Sequence, residues 1–489
     1  MIVELDSGRV RGRVADEHVL FQGIPYAAPP VGELRWRSPQ PVEPWSHVRD
    51  ATEPGCPCPQ IAQSFAGVAS ENEDCLVLDV TAPRTPGRKP VLVWLHGGGG
   101  TNGAGALFDA HRLAVDEDVV VVTPNSRLGV FGFFGHPALP GGGAYGIEDQ
   151  QAALRWVRRN IAAFGGDPDR VMLFGESYGG LSTTAHLVAP GSVGLLHRAA
   201  VQSGFPLMRP PAGTFGPFQP ALDSMWMPTA ELDRVGAQIA DELGWTRPDD
   251  PDAADRLRRV PVTELLGVSS VFTRPAWGGP VLPVAPDEAV RAGRVADVPV
   301  LVGGTRDEAR LFVALFYEEI TEQSYGELLA EAFGPDADEV RARYPAAESP
   351  GLSWARVLSD GAWAASCWEL MHALSAATTT FGYEFADRDA PPIVPFPPGF
   401  PPGAHHSAEV VYQFDLGEPA PLTDAQWRLA ATMNRYWARF ARTGDPGDNG
   451  LPAWPAFTPE RPHVQSLRPD RIGPADFAAD HRLDFWSRR

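Results

Sequence analysis

Short, unbroken apolar runs alternate with amphipathic stretches through the first half of the chain. Residues 90–95 (PVLVWL) and 118–125 (DVVVVTPN) are β-branched runs of the kind that form strands buried on both faces. Residues 149–164 (DQQAALRWVRRNIAAF) carry apolar positions at helical spacing and stop at GGDP. RVMLF (170–174) reads as another buried strand, leading through GESYGG into the helix-like LSTTAHLVA. PVLVGG (299–304) repeats the strand-then-glycine pattern. Strands separated by helices over this length imply an α/β fold with a mostly parallel sheet covered on both faces. The absence of a repeated unit excludes solenoids and propellers.

Two segments break the pattern. Residues 205–290 are richer in Pro and Trp, with one amphipathic piece at Glu231–Leu243, and read as an insertion over the sheet edge. Residues 391–404 (PPIVPFPPGFPPGA) are too Pro-dense for helix or strand and predict a stiff surface loop, with a polyproline ligand as the alternative. Gly and Pro supply 50 residues each of 489. Their combined share lies between the roughly 12% of ordinary chains and the ~25–30% of low-complexity ones. With 44% hydrophobic residues, the chain reads as a large globular protein with many turns. A length prior of ~150 residues per domain suggests about three domains. No linker is long enough to make such a cut.

Charge narrows the partners. A formal net charge of −20 repels nucleic acid and anionic membrane, so neither is expected as a partner. Cys56, Cys58, Cys75 and Cys367 are too few for a disulfide scaffold, and Cys56 and Cys58 lack zinc-ligand spacing. The opening MIVELDSGRVRG has acids and arginines where a secretory signal needs an apolar core. No apolar stretch reaches the ~18 residues of a membrane span. The expected address is the cytoplasm.

Candidate chemistry centres on Gly175-Glu176-Ser177-Tyr178-Gly179. GxSxG alone is a weak signal, but here it joins a buried strand to a helix. A tight turn there pushes the Ser177 side chain outward, and the helix N-terminus aims free N–H groups at the reacting centre. A serine hydroxyl needs a general base, an acid to orient that base, and N–H donors for the oxyanion. His96-Gly97-Gly98-Gly99-Gly100 after strand 90–95 offers such donors, as does the amide of Tyr178. The same glycines satisfy GxGxxG through Gly98, Gly100 and Gly103, but the next strand ends in Pro124-Asn125, without the acid a dinucleotide site requires. Asp307 and Glu308 lie just past strand 299–304, and adjacent side chains point different ways, so one of them faces the base. Among histidines, His405 and His406 follow the Pro-rich loop, and no metalloprotease spacing exists.

With these residues in place, the chain resembles the type-B carboxylesterases, the family of para-nitrobenzyl esterases and cholinesterases. The resemblance runs almost end to end. FQGIPYA (21–27), EDCLVLDV (73–80), HGGGG (96–100), NSRLGVFGF (125–133), FGGDPDRV (164–171), WARF (437–440) and GDP (444–446) follow in family order. It implies an α/β-hydrolase fold over a single domain, 1–489, with 205–290 as a probable insertion over the active site. It further implies Ser177 as nucleophile, Glu308 as acid and His406, three residues before Glu409, as base. The oxyanion donors fall on the amides of Gly98, Gly99 and Tyr178, and the first-loop cysteine pair on Cys58 and Cys75, oxidised to a disulfide or left open by a reducing cytoplasm. The implied activity is hydrolysis of small-molecule carboxylic esters by a monomer or small homo-oligomer, with no cofactor and no metal. An acyltransferase, a lactone, thioester or amide hydrolase, or a catalytically silent scaffold are the alternatives. Activity is expected to fall as His406 protonates, nominally near pH ~6.5. Three departures stand out. Tyr178 replaces the usual Ala, with a ring that narrows the pocket. Gly100 replaces an aromatic, enlarging the acyl side. Trp277-Gly278-Gly279-Pro280 replaces a VDG-like turn.

Overall fold

The computed structural model describes residues 1–489 except 64–66, 347–348, 418–420, 448–449 and 488–489. Eleven strands form its main sheet: Arg13–Val14 (β1), His18–Pro25 (β2), Val77–Pro83 (β3), Lys89–Leu95 (β4), Val120–Pro124 (β5), Gly166–Glu176 (β6), Arg198–Gln202 (β7), Val300–Thr305 (β8), Thr380–Phe385 (β9), Val464–Leu467 (β10) and Gly473–Pro474 (β11). Their order across the sheet is β11-β10-β9-β8-β7-β6-β4-β5-β3-β2-β1. The run from β10 to β5 is parallel, and the strands outside it pair antiparallel. The fold is that of an α/β-hydrolase.

The apolar runs are continuous because both faces of the sheet are covered. In β4, Val91, Val93 and Leu95 join the core on one face, while Leu92 and Trp94 join the core on the other. Strand β6 divides the same way, Val171 and Leu173 against Met172 and Phe174. Six helices matter below: Tyr145–Asn160 (α1), Tyr178–Val188 (α2), Thr229–Glu242 (α3), Ala309–Phe316 (α4), Ala365–Ser375 (α5) and Asp424–Thr443 (α6). Leu181 and Ala185 of α2 pack on the first face, and Met433, Trp437 and Phe440 of α6 on the second. A Thr423/Gln426 capping box starts α6, and Gly444 in the left-handed region ends it.

The sheet's topology positions the site. After β4 the chain places β5 on one side and β6 on the other, so the strand order reverses at β4. A crevice opens beyond the carboxyl ends of strands at such a reversal. The loop after β4 and the turn after β6 both lie there. Segment 203–299 leaves the sheet after β7 and returns at β8, its immediate neighbour, so it springs from the middle of the sheet rather than its edge. It contains α3 and a small parallel pair, Met227–Pro228 with Ala276–Trp277. The 277–280 departure is thus a strand end, where Gly278 has φ 96° and donates its N–H to Leu282 O at 2.7 Å. Residues 391–404 form no helix or strand, as their prolines predict.

Candidate active site

Ser177 sits between β6 and α2 with φ 57° and ψ −121°, a conformation that non-glycine residues rarely hold. Its own N–H, donated to Gln202 O at 2.8 Å, and its C=O, accepting from Leu181 N at 3.0 Å, fix that turn. The side chain is partly exposed, and among the described residues its hydroxyl makes no hydrogen bond. The glycine loop after β4 lies alongside: a Cβ on Gly97 would come within 3.0 Å of Ser177 Cβ. The amides of Gly98, Gly99 and Tyr178 donate no hydrogen bond among the described residues. Gly98 and Gly99 have φ of 103° and 63°, a backbone open to glycine and closed to most side chains.

The structure separates the candidates that adjacency left open. His406 donates from Nδ1 to Glu308 Oε2 at 2.5 Å. Glu308 Oε1 accepts from the Thr305 amide at 2.9 Å and from Ser203 Oγ at 2.7 Å. Asp307 instead turns outward, taking a bidentate pair from Arg388 at 2.8 Å and the Ala404 amide at 3.1 Å. His405 also faces away. Its Nε2 accepts from the Ile393 amide at 3.4 Å, its ring lies against Phe396, and burial pushes its pKa down to about 4.

His406 Nε2 makes no hydrogen bond, although Glu176 Oε1 lies 3.1 Å away. Ser407 Oγ donates to that same oxygen at 2.6 Å. Burial lowers the His406 pKa, but the charges of Glu176 and Glu308 and the Glu308 hydrogen bond outweigh it and push it up to about 9. The nominal ~6.5 of a free imidazole is the value before these neighbours act, and they move it upward. Glu409 is fully buried, and neither carboxylate oxygen has a partner. Burial, with Glu176 and Glu308 close by, pushes its pKa up to about 8. Three carboxylates near one imidazole do not all ionise, and the unpartnered one takes the proton.

Glu176, Ser203 and Ser407 were not singled out from the sequence as site residues. Glu176 carried a signal, being an acid next to a candidate nucleophile. The two serines carried none: both act from positive φ (52° and 67°) set by tertiary contacts. Above His406 lie Phe312 of α4, with ring centres 4.9 Å apart, and Trp363 at 6.5 Å. Phe215, from segment 203–299, meets both Phe312 and Trp363.

Two of the sequence departures prove to be one feature. A Cβ on Gly100 would meet the Tyr178 ring at 2.6 Å, so the space opened by Gly100 is occupied by that ring. Phe133 packs edge-on against it at 5.7 Å. Cys58 and Cys75 are neighbouring buried thiols, the reduced form of the pair that the resemblance implies. The contact with Cys58, then burial, raises the Cys75 pKa. Among the described residues no helix is long and apolar enough to cross a membrane.

Comparison with known proteins gives a consistent picture. The profile described as "Carboxylesterase family" matches residues 1–486. The para-nitrobenzyl esterase of Bacillus subtilis (strain 168) is 34% identical over 479 residues, covering 94% of this chain and 93% of the relative. The cocaine esterase of Oryctolagus cuniculus is 33% identical, covering 98% of this chain and 92% of its own. A solved structure titled PNB esterase superposes with a TM-score of 0.81 at 31% identity, covering 98% of this chain and 99% of that one.

Proposed function

The chain belongs to the carboxylesterase family and acts on carboxylic esters, and from that premise we propose that it does so through an acyl-enzyme formed on Ser177. His406, neutral, takes the Ser177 proton at Nε2 as Oγ attacks the ester carbonyl. Glu308 holds the ring through Nδ1 and stabilises the imidazolium that forms. The amides of Gly98, Gly99 and Tyr178 receive the oxyanion, where one such donor is worth about 3–4 kcal/mol. His406 then protonates the leaving alcohol, and water cleaves the acyl-enzyme by the same steps in reverse.

The observation that carries this reading is the 2.5 Å Nδ1–H···Oε2 bond from His406 to Glu308, beside a strained serine whose hydroxyl has no partner. We read the whole chain as one domain working in the cytoplasm on small-molecule esters, with 205–290 as an insertion over the site. The Phe215 contacts above His406 support that placement. Ser177→Ala, assayed on a nitrophenyl ester, is expected to lose about 10⁴-fold or more in kcat. An organophosphate is expected to label the wild type at Ser177 and to leave that variant unlabelled. Wild-type turnover by Ser177→Ala would end this reading.

A further inference from the structure

A polar cavity of about 350 Å³ lies behind the turn that carries Glu308. Arg306, Arg310, Arg343, Arg356, Arg388 and Arg482 line it, brought together from five separate stretches of the chain. The carboxylates available there are fewer, and they are shared. Asp307 serves both Arg388 at 2.8 Å and Arg310 at 3.4 Å. Asp360 serves Arg482 at 3.2 Å and His481 at 2.7 Å. Arg306 is matched by Glu384 at 3.1 Å and Asp480 at 2.9 Å. His481 adds a cation, since its hydrogen bonds to Asp360 and Glu384 overcome burial and push its pKa up to about 9.

Two guanidiniums are left over. Arg356 approaches Asp360 only to 3.9 Å, and Arg343 approaches the exposed Asp484 only to 3.7 Å. Among the described residues neither donates a hydrogen bond, so two donor forks stand unengaged at the cavity. The crowding is felt by Arg310, whose pKa falls below the ordinary guanidinium value through burial and through repulsion by Arg388 and Arg356. In a chain of net charge −20, a concave site with more cations than anions is a local reversal of sign. Arginine forks match the planar or tetrahedral oxygens of carboxylate and phosphate, and a dianion there would supply the missing counter-charge.

We propose that this cavity is a binding site for a small polyanion bearing two or more carboxylate or phosphate groups, held by the free forks of Arg343 and Arg356. Such a site is separate from ester chemistry, and its readout is binding, so it stands or falls independently of the Ser177 reading.

Titration calorimetry on the full chain tests it, with inorganic pyrophosphate and citrate as probes at near-physiological salt. The wild type is expected to bind one equivalent of at least one probe saturably. Arg343→Ala/Arg356→Ala is expected to weaken that binding roughly tenfold or more, the loss of charge-assisted hydrogen bonds. Ester turnover at the wild-type rate shows that this variant is folded. Arg256→Ala, on the distant segment 203–299, removes an exposed arginine elsewhere and is expected to bind as the wild type does. A preference for pyrophosphate identifies a phosphoryl ligand, and a preference for citrate a carboxylate one. The proposal is overturned if neither probe binds saturably, if the double variant binds as tightly as the wild type, or if Arg256→Ala weakens binding equally.

Discussion

Glu176 gives the site its electrostatic setting at the scale of single residues. A base whose pKa is raised stays protonated, and inactive, to higher pH. With His406 pushed up to about 9, kcat/KM is expected to rise through the neutral and mildly alkaline range rather than level off above ~6.5. Glu176→Gln removes one of the charges responsible, so its acid limb is expected at lower pH in a pH–rate profile. An unmoved limb would place the control elsewhere. Tyr178 and Gly100 make a second pair. Gly100→Ala is expected to destabilise by about 1–3 kcal/mol, because the new methyl meets the ring and the backbone there has φ 73°. Combining it with Tyr178→Ala relieves the clash but not the backbone strain. A denaturant double-mutant cycle is expected to show coupling of about 1 kcal/mol or more, and additivity would refute the steric account.

The elements meet at the proposed catalytic loops through Asp307. This carboxylate ties the turn after β8 to Arg388 beyond β9 and to the Ala404 amide, two residues before His406. Asp307→Ala is expected to lower kcat by about 10–100-fold, since a displacement of roughly 1 Å at a catalytic group carries a penalty of that order. Stopped-flow acylation rates would show the loss directly. The elements themselves were largely legible in the sequence. Strands 90–95 and 170–174 and the helix after GESYGG fall at β4, β6 and α2, because burial on both faces demands unbroken apolar runs. Their ends shifted by a few residues. The helix read at 149–164 begins at Tyr145 and tightens to a 3₁₀ turn at Ile161–Phe164. The position of 205–290 was less legible, since no local pattern says which two strands an insertion joins.

For the molecule as a whole, His481 fastens the C-terminal segment to the sheet. It lies between Asp360 at 2.7 Å and Glu384 of β9 at 2.6 Å. Burial opposes its charge, yet the two carboxylates push its pKa up to about 9. The folded-state pKa exceeds the unfolded value of ~6.5, so this contribution to stability is complete below ~6.5 and lost as pH rises through about 9. Thermal melts from pH 6 to 10 are expected to show a falling Tm across that window. His481→Gln is expected to lower Tm at pH 6 and to flatten the slope, whereas an unchanged slope would assign the pH dependence to other groups.

By itself the sequence determined the parallel sheet, the serine turn, the glycine loop and a short set of acids and bases. All of these rest on interactions between residues near one another in the chain: period, turn chemistry and glycine spacing. Local pattern left Asp307 or Glu308, and His405 or His406, open, and the family resemblance pointed to Glu308 and His406; the tertiary structure brings that pair into contact and turns each neighbour elsewhere, because backbone direction assigns adjacent side chains to opposite environments. It also decided the electrostatic setting of His406, the proposed base. Glu176 and Glu308 lie far from His406 in the chain, and their charges act on it only once folding buries them around its imidazole.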